Sequence, residues 1–182
     1  MRGVPRNKVI LEAHDPAWAG EFQRTKARLE SIHGERVVDI QHVGSTAIEG
    51  IVAKPMLDVA VLFREMTDAA LDAMRDHGYE DYGEVAEGKR LFILRDETGA
   101  SLEHIHCYEE KRRERYDEQL RFRDFLRAHP EQARAYEQLK QALCRTYAND
   151  RRQYTAGKQG FFDRIRMLAE QEGEAKPERS GG

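Results

Sequence analysis

The sequence lacks the features that mark membrane, secreted and zinc-binding proteins. It has no apolar run of about 18 residues, the length that a membrane-spanning helix needs. Its first residues are partly basic but lack the apolar stretch of a secretory signal. Cysteine occurs only at Cys107 and Cys144, without a CxxC spacing, so neither a zinc knuckle nor a disulfide framework is indicated. These absences predict a cytoplasmic protein that does not enter the membrane.

A strong excess of one charge is missing as well. The formal net charge is -3, although 35% of the residues are charged. Residues 1–108 contain 13 basic and 19 acidic side chains, whereas residues 109–168 contain 15 and 10. Because the charges of the second segment alternate in sign, as on solvated helices, we do not expect this protein to bind nucleic acid.

The first part of the chain has the pattern of a sheet with flanking helices. Asp15 and Pro16 begin an apolar helical repeat that ends at Gly34, and Thr67 or Asp68 begins a second one that ends at Gly78. VVDIQHV and PMLDVAVLF have the length and composition of interior strands, and KVILEA that of a short strand or an extended arm. KRLFILRD and LEHIHCYE flank a polar, glycine-containing connection, which predicts a hairpin.

From Glu114 onward the apolar residues follow helical spacing, with predicted breaks at His129-Pro130 and between Asn149 and Gly157. We therefore predict an α/β (α+β) fold in which a mixed sheet and flanking helices carry a helical C-terminal section. The chain length fits one domain over residues 1–172, with the sheet at 9–108 and the helical section at 109–170. Residues 173–182 are small and polar and are predicted to be disordered.

Several candidate ligand-binding residues lie in the stretch HVGSTAIEGIVAKPMLDVAV, residues 42–61. A bend of Gly44, Ser45 and Thr46 can hold phosphate oxygens with backbone amides and hydroxyls, or can simply turn the chain. It is not a Walker loop, because the lysine arrives only at Lys54. Asp58 lies within an apolar strand, where a carboxylate needs a partner such as a basic side chain or a magnesium ion.

The segment QHVGSTAIEGIVAKPMLDV resembles the signature of the GrpB family, within the nucleotidyltransferase superfamily and its DNA-polymerase-β-like fold. The resemblance continues through HGYEDYG, HIHCY, FRDFLRAHPEQARAYEQLK and YTAGKQGFF, and so covers about residues 9–169. It implies a nucleotidyltransferase-like mixed sheet, with the Gly-Ser bend beside the strand that carries Asp58. It also implies Mg²⁺ and a nucleoside triphosphate such as ATP as ligands.

Active members of that superfamily carry two acidic residues at i and i+2 on this strand, where both side chains face the same way. Here the second position is Ala60, so the usual pair is broken. The third acidic ligand of the superfamily comes from a later strand, which directs attention to Glu103 in SLEHIHCYE. On a strand, His104 and His106 share the face opposite to Glu103.

We favour the histidine face as part of the site. His104 and His106, with His42 from a neighbouring strand, can orient a phosphate, act as acid and base, or bind a transition metal. The alternative is that they are hydrogen-bonded residues of the sheet. Asp58, His104 and His106 are thus the candidate metal ligands, and Asp58, Lys54 and His106 are the candidate catalytic residues.

Further basic residues are candidate phosphate contacts. Lys54 can bind phosphate or neutralise Asp58, and Lys158 matches the late Tyr-Thr-x-x-Lys motif of the family. Arg90, Arg121 and Arg123 resemble family positions that can clamp a phosphate or carboxylate, although Arg123 with Asp124 can equally form a helix-surface or helix-sheet salt bridge. The candidate nucleotide-binding residues are Gly44, Ser45, Thr46, His42, Arg90, Arg123 and Lys158.

Three functions are consistent with these residues. The first is Mg²⁺-dependent transfer of a nucleotidyl group to a small acceptor, or activation of a carboxylate by a nucleotide. The second is a non-catalytic nucleotide-binding or interaction module, which Ala60 favours, as do family members fused to dephospho-CoA kinase. The third is a metal hydrolase built on His42, His104 and His106, which three histidines without ligand spacing indicate only weakly.

Overall fold

A five-stranded mixed sheet forms the centre of the protein, whose computed structural model describes residues 3–175. The strands are β1 (Val37–Val43), β2 (Leu57–Phe63), β3 (Glu80–Ala86), β4 (Lys89–Arg95) and β5 (Ser101–Glu109). The helices are α1 (Ala17–His33), α2 (Asp68–Asp76), α3 (Arg113–Ala128), α4 (Pro130–Thr146), α5 (Arg151–Ala156) and α6 (Gln159–Ala175). The predicted fold class is therefore confirmed.

The strand order is β1-β2-β5-β4-β3, with β2 and β5 parallel and the other pairs antiparallel. The predicted hairpin is the β4-β5 pair. The prediction that Val37–Val43 is an interior strand was wrong, because β1 lies at an edge of the sheet. Strand β3 was missed because its segment EDYGEVA is largely polar and exposed, and its pairing with β4 at the other edge determines its conformation.

The two faces of the sheet are covered by different helices. Helices α1 and α2 bury one face, where Trp18 and Leu29 pack with Val59 and Ile105 in a single apolar cluster. Helix α3 covers part of the other face, where Tyr116 packs against residues of β2 and β5. Alternate side chains of β2 and β5 therefore point into two separate environments.

The helical section joins the sheet through the loop between β1 and β2. Ile48 and Ile51 of that loop lie in one apolar cluster with residues of α3, α4 and α6. The break at His129-Pro130 is confirmed, since α3 ends at Ala128 and α4 begins at Pro130. The break predicted between Asn149 and Gly157 is confirmed as well, since α4 ends at Thr146 and α6 begins at Gln159. It contains the short helix α5, whose N-terminus is capped by the Asp150 side chain.

The two ends of the described chain add two observations. The segment before α1 is an extended arm with isolated bridges from Val4 to Ser101 and from Glu12 to Ala53, rather than a strand of the sheet. Helix α6 is described up to Ala175, and the disorder predicted from residue 173 onward stays a prediction. The remainder of that predicted tail, residues 176–182, lies outside the described residues. Among the described helices, none has the length and apolar character to cross a bilayer.

A partly exposed ion-pair network holds the outer strands to α2. The carboxylate of Asp81 accepts hydrogen bonds from Arg75 at 2.5 Å, from Arg90 at 2.6 and 2.9 Å, and from the Gly83 amide at 2.8 Å. Burial acts to raise the pKa of Asp81, but the bonds from Arg90, Gly83 and Arg75 lower it to about 2. Ionised Asp81 therefore stabilises the folded protein.

This network gives a testable pH dependence. Because the folded pKa of Asp81 lies below its unfolded value, its contribution to stability is complete above about pH 4 and is lost as the pH falls towards 2. We expect Asp81→Asn to lower the free energy of unfolding at pH 7 by about 2 kcal/mol and to reduce the acid sensitivity of the protein. Urea unfolding at pH 3 and pH 7 measures both effects.

Asp72→Asn is the matched control, because Asp72 also pairs with Arg75 but its side chain is 64% exposed. We expect this control to change stability by less than about 0.5 kcal/mol at either pH. Equal losses from the two substitutions would contradict the role assigned to Asp81.

Candidate functional site

The register between β2 and β5 brings the main candidate residues together. Asp58 pairs with His104 and Ala60 pairs with His106, so these four side chains lie on the same face of two parallel strands. This is the face opposite to the α1-α2 core. The side chain of Asp58 is 25% exposed, against 9% for His104 and 13% for His106, so solvent reaches the group mainly through the carboxylate.

The Gly-Ser bend lies directly against this carboxylate. Gly44 has a φ of 69°, a value that favours glycine, and a Cβ built on it would lie 2.6 Å from Oδ2 of Asp58. Ser45 to Ala47 then form a short 3₁₀ turn. Only glycine, which has no side chain, fits at this position without a clash. The bend and the carboxylate of Asp58 therefore line the same small space.

Contacts with other side chains fix the position of the bend. The buried hydroxyl of Thr46 lies 2.9 Å from Nε2 of His42, whose ring stacks on Phe22 of α1. Arg127 of α3 donates a 2.9 Å hydrogen bond to the carbonyl of Ala47, and Tyr136 of α4 lies beside Ser45. His42 and Thr46 therefore hold the bend in place, whereas the half-buried Gly44 and Ser45 line the accessible side.

Asp58 is held as an anion. Its Oδ1 lies 3.1 Å from Nε2 of His106 and 3.8 Å from Nδ1 of His104. Burial acts to raise the pKa of Asp58, but the hydrogen bond with His106 and the positive charges around it, including Lys54, hold that pKa well below the ordinary carboxyl value. Since an ionised carboxylate only accepts hydrogen bonds, His106 donates its Nε2–H to Asp58.

The proton positions of both histidines follow from their partners. Nη2 of Arg151 lies 3.1 Å from Nε2 of His104, and a guanidinium can only donate, so this Nε2 accepts. Burial, followed by repulsion from Arg151, lowers the pKa of His104 against the attraction of Asp58. Neutral His104 therefore carries its proton on Nδ1, the nitrogen that faces Asp58. In His106 it is Nδ1 that lacks a proton, and this buried atom has no hydrogen-bond partner among the described residues.

Among the described residues, four basic side chains interact electrostatically with the carboxylate of Asp58, and we call them the cationic ring: Lys54, Lys89, Arg151 and Lys158. Burial and mutual repulsion lower the pKa of Lys54 to about 7 and that of Lys158 to about 8, although Asp58 opposes both shifts. Burial also lowers the pKa of Lys89 and of Arg151, again against the attraction of Asp58. One carboxylate does not neutralise four cations, so the site is suited to an anion.

The same carboxylate and the two histidines could also hold a metal ion. In the part of the chain that the structure describes, one ligand atom from each of Asp58, His104 and His106 lie within 4.8 Å of one another. Two imidazoles and one carboxylate suit Mn²⁺, Fe²⁺, Co²⁺ or Zn²⁺, whereas Mg²⁺ prefers oxygen ligands. The donor set therefore fits a divalent transition metal better than the expected magnesium.

Two of the candidate phosphate-binding residues, Arg90 and Arg123, are engaged elsewhere. Arg90 pairs with Cys107, which directs its side chain to the α1-α2 face, where it binds Asp81. Arg123 is buried and donates to Gln41 and to the carbonyl of His42, so it forms the helix-sheet contact that was the alternative to a phosphate clamp. A role of either arginine with phosphate is not supported by this geometry.

Glu103 also lies away from Asp58. Its carboxylate accepts hydrogen bonds from Thr25 at 2.7 Å, from Tyr79 at 2.9 Å and from Arg28 at 2.5 Å. All three partners belong to the α1-α2 side of the sheet. Glu103 is therefore a structural residue of that side, and the third acidic position of the superfamily has no counterpart there.

Sequence reasoning missed Arg151 and Lys89. Arg151, Tyr154 and Lys158 are spaced by three and four residues, the spacing of one helical face, but the segment was interpreted as a break. The amine of Lys158 lies 5.0 Å from the centre of the Tyr154 ring and that of Lys54 6.0 Å, so this aromatic ring joins two members of the cationic ring. Lys89 opens β4 after a tight turn, and nothing in its local sequence indicates a site.

A family model described as GrpB protein matches residues 8–167. The chain belongs to the GrpB family. Glutamate-rich protein GrpB from Alkalihalophilus pseudofirmus is 37% identical over 170 residues, which cover 91% of this chain and 98% of that protein. The crystal structure of the conserved protein GrpB from Enterococcus faecalis matches with a TM-score of 0.80 and 27% identity, over 90% of this chain and 98% of that one.

This GrpB family member is similar in fold to a nucleotidyltransferase. Terminal uridylyl transferase 4 from Trypanosoma brucei, solved with bound dUTP, matches with a TM-score of 0.51 and 13% identity. The match covers 88% of this chain and 55% of that enzyme. At this identity the likeness concerns the fold alone, and it confirms the predicted nucleotidyltransferase-like architecture.

The contact between Gly44 and Asp58 can be tested with a matched pair of substitutions. Gly44 and Gly50 both have positive φ, at 69° and 77°, but a Cβ on Gly50 would meet no atom within 4 Å. We expect Gly50→Ala to lower the free energy of unfolding by about 1 kcal/mol through backbone strain alone.

Gly44→Ala adds the clash with Asp58 to the same strain, so we expect a loss at least about 1 kcal/mol larger, measured by chemical unfolding. An Asp58→Ala background tests the cause. Because the carboxylate is then absent, Gly44→Ala and Gly50→Ala should lower the free energy of unfolding by similar amounts. Similar losses from both substitutions in the unmodified background would contradict a close contact.

Proposed function

We propose that this protein binds the polyphosphate of a nucleoside triphosphate between the Gly44-Ser45 bend and the cationic ring, and that it transfers the nucleotidyl group to a small acceptor. The observation that carries the proposal is the close approach of the Gly44 backbone to the carboxylate of Asp58. An anion-accepting bend therefore lies next to an ionised acid that interacts with four basic side chains.

The positive charges of the cationic ring are the reason for proposing a phosphate-containing ligand. A triphosphate carries several negative charges, and the cationic ring contributes up to four positive charges around one carboxylate. Because burial and mutual repulsion lower the pKa of Lys54 and of Lys158, a bound anion relieves an unfavourable interaction. Arg151, with its planar fork, suits two oxygens of one phosphate, and the lysines act as point charges.

A divalent metal on Asp58, His104 and His106 would complete the site. Mn²⁺ suits this donor set better than Mg²⁺, and a bound divalent cation would neutralise phosphate charge and orient the polyphosphate. The residues of the chain would do the rest of the work by positioning. The bend would align the nucleotide, while Lys54 and Lys158 would offset the charge that develops during in-line displacement at the α-phosphorus, with pyrophosphate as the leaving group.

A second function is a nucleotide-binding module that uses no metal. It is favoured by Ala60, which removes the second carboxylate, and by the protons of His104 and His106, which both face Asp58. A metal ligated through these nitrogens would require each proton to move to the other ring nitrogen. The cationic ring would then supply the neutralising charge by itself.

Asp58→Asn separates the two functions, because they predict effects of opposite sign on ATP binding. If Asp58 binds a metal that bridges to phosphate, the substitution weakens ATP binding in Mn²⁺ by at least about tenfold and stops pyrophosphate release. If no metal takes part, the substitution removes a negative charge beside the phosphates and strengthens binding. Titration calorimetry with ATP in Mn²⁺, in Mg²⁺ and in EDTA measures the change.

Asp76→Asn is the control, because it removes an equal charge from an exposed position on α2, a helix of the opposite face. It should leave the affinity within about twofold. Nucleotide binding that responds to neither substitution would contradict a phosphate site at Asp58. Tighter binding of ATP by Asp58→Asn in EDTA, without turnover by the unmodified protein, would support the module instead.

A further inference from the structure

A cavity of about 460 Å³ lies between the β3-β4 turn, the end of β5 and helices α3 and α6. This volume is in the range of sites that bind small organic molecules. One wall is apolar, with Phe122 of α3 and Phe162 of α6, whose ring centres are 4.7 Å apart. The two rings offer a surface on which a flat apolar group can pack.

The inner end of the cavity holds a buried polar group without a partner. Tyr108 is 1% exposed, and its hydroxyl makes no hydrogen bond to any described residue. A buried hydroxyl left unpaired costs about 1–3 kcal/mol. Its neighbour Tyr116, in contrast, donates a 2.7 Å hydrogen bond to Asp39. Tyr108 is one of the residues that line the cavity, so a polar atom of a bound ligand would give its unpaired hydroxyl the partner that it lacks.

The lining of the cavity has unpaired positive charges, whereas its negative charges are paired. Each acidic residue of the wall already has an arginine: Glu118 pairs with Arg115 at 3.4 Å, Asp163 with Arg166 at 3.5 Å, and Glu87 with Arg112 at 2.7 Å. Two basic residues of the wall, Lys89 and Arg121, form no ion pair with any described residue. The cavity thus has two available cations and no available acid.

Lys89 also connects the cavity to the site around Asp58. Its side chain lines the cavity, and the charge of Asp58 opposes the lowering of its pKa by burial. Lys89 in turn contributes, after burial, to the lowered pKa of His106. His106 and Tyr108 are two residues apart on β5, so both side chains lie on the same face of that strand.

We propose that this cavity binds the acceptor of the transfer reaction, a flat organic anion whose ring packs against Phe122 and Phe162 and whose anionic group contacts Arg121, Lys89 and the hydroxyl of Tyr108. The cavity as a binding site stands on its own geometry, and the role of its ligand as acceptor rests on the proposed function. When the anion is a carboxylate, one of its oxygens attacks the α-phosphorus. The bond from that phosphorus to pyrophosphate breaks, and an acyl nucleotide and pyrophosphate result.

The test uses 2-naphthoate as a probe and its neutral amide, 2-naphthamide, as the matched compound. Titration calorimetry on the full chain, without nucleotide or metal, should give one site for naphthoate and binding about tenfold weaker for the amide. Arg121→Gln should remove the difference between the two compounds, and Tyr108→Phe should weaken naphthoate by about threefold to tenfold. Arg113→Gln, on the exposed side of the same helix, should change neither.

The location can be read from alanine methyl groups. In protein labelled with ¹³C at alanine methyls, naphthoate should shift the signals of Ala86 and Ala169, which line the cavity, and leave that of Ala70 in the α1-α2 core unchanged. Saturable binding with these shifts supports the cavity. No saturable binding of naphthoate or of naphthyl phosphate, or binding that neither Arg121→Gln nor Tyr108→Phe alters, overturns it.

Binding in the cavity and the proposed function are tested independently of each other. The probe titration contains no nucleotide, so failure of ATP binding leaves its result intact. With ATP and Mn²⁺ present, an acceptor role predicts that naphthoate increases pyrophosphate release and that Arg121→Gln removes the increase. Naphthoate bound in the cavity without such an increase would overturn the acceptor role and leave the cavity as a site for an organic anion.

Discussion

The site depends on the interaction of one ionised carboxylate, that of Asp58, with the groups packed around it. Asp58 accepts a hydrogen bond from His106, lies against the backbone of Gly44 and attracts four basic side chains. Without the carboxylate, the cationic ring would have no described counter-charge at its centre. Without the ring, an ionised acid on an interior strand would be costly. Each part of the site therefore requires the other.

The fold serves this interaction by bringing distant segments to one point. The parallel β2-β5 pair aligns Asp58 with His104, and the loop before β2 supplies Lys54. The start of β4 supplies Lys89, and the short helix α5 with the turn after it supplies Arg151 and Lys158. Helices α3 and α4 hold the bend through Arg127 and Tyr136. The helical section thus does more than cover the sheet, because it carries half of the positive charge and one wall of the proposed acceptor cavity.

Much of the fold was predictable because its elements have strong local patterns. The α1 repeat, the apolar β2 strand and the His129-Pro130 break determine their own structure. The features that were missed depend on contacts distant in sequence. β3 is polar and forms only because β4 offers hydrogen bonds, and β1 is apolar enough for an interior strand although it lies at an edge. Within the site, Asp58, the bend, Lys54, Lys158 and the histidines could be found from local motifs. Lys89 could not, since only the folded chain brings it near Asp58, and the same holds for the separation of Arg90 from it. Arg151 has helical spacing with Lys158, and the alternation of side chains on β5 already separates Glu103 from the histidines.

The central claim is that Asp58 and its histidines hold a divalent metal together with a nucleotide polyphosphate. Pulsed electron paramagnetic resonance on ¹⁵N-labelled protein with Mn²⁺ and ATP tests it most directly, because the manganese spin reports every magnetic nucleus bound to it. The account predicts ¹⁵N couplings from protein imidazole and ³¹P couplings from ATP in one spectrum, with the ¹⁵N couplings reduced in a His104→Ala, His106→Ala protein. A spectrum with ³¹P couplings alone, identical to that of Mn²⁺ and ATP in solution, would contradict it.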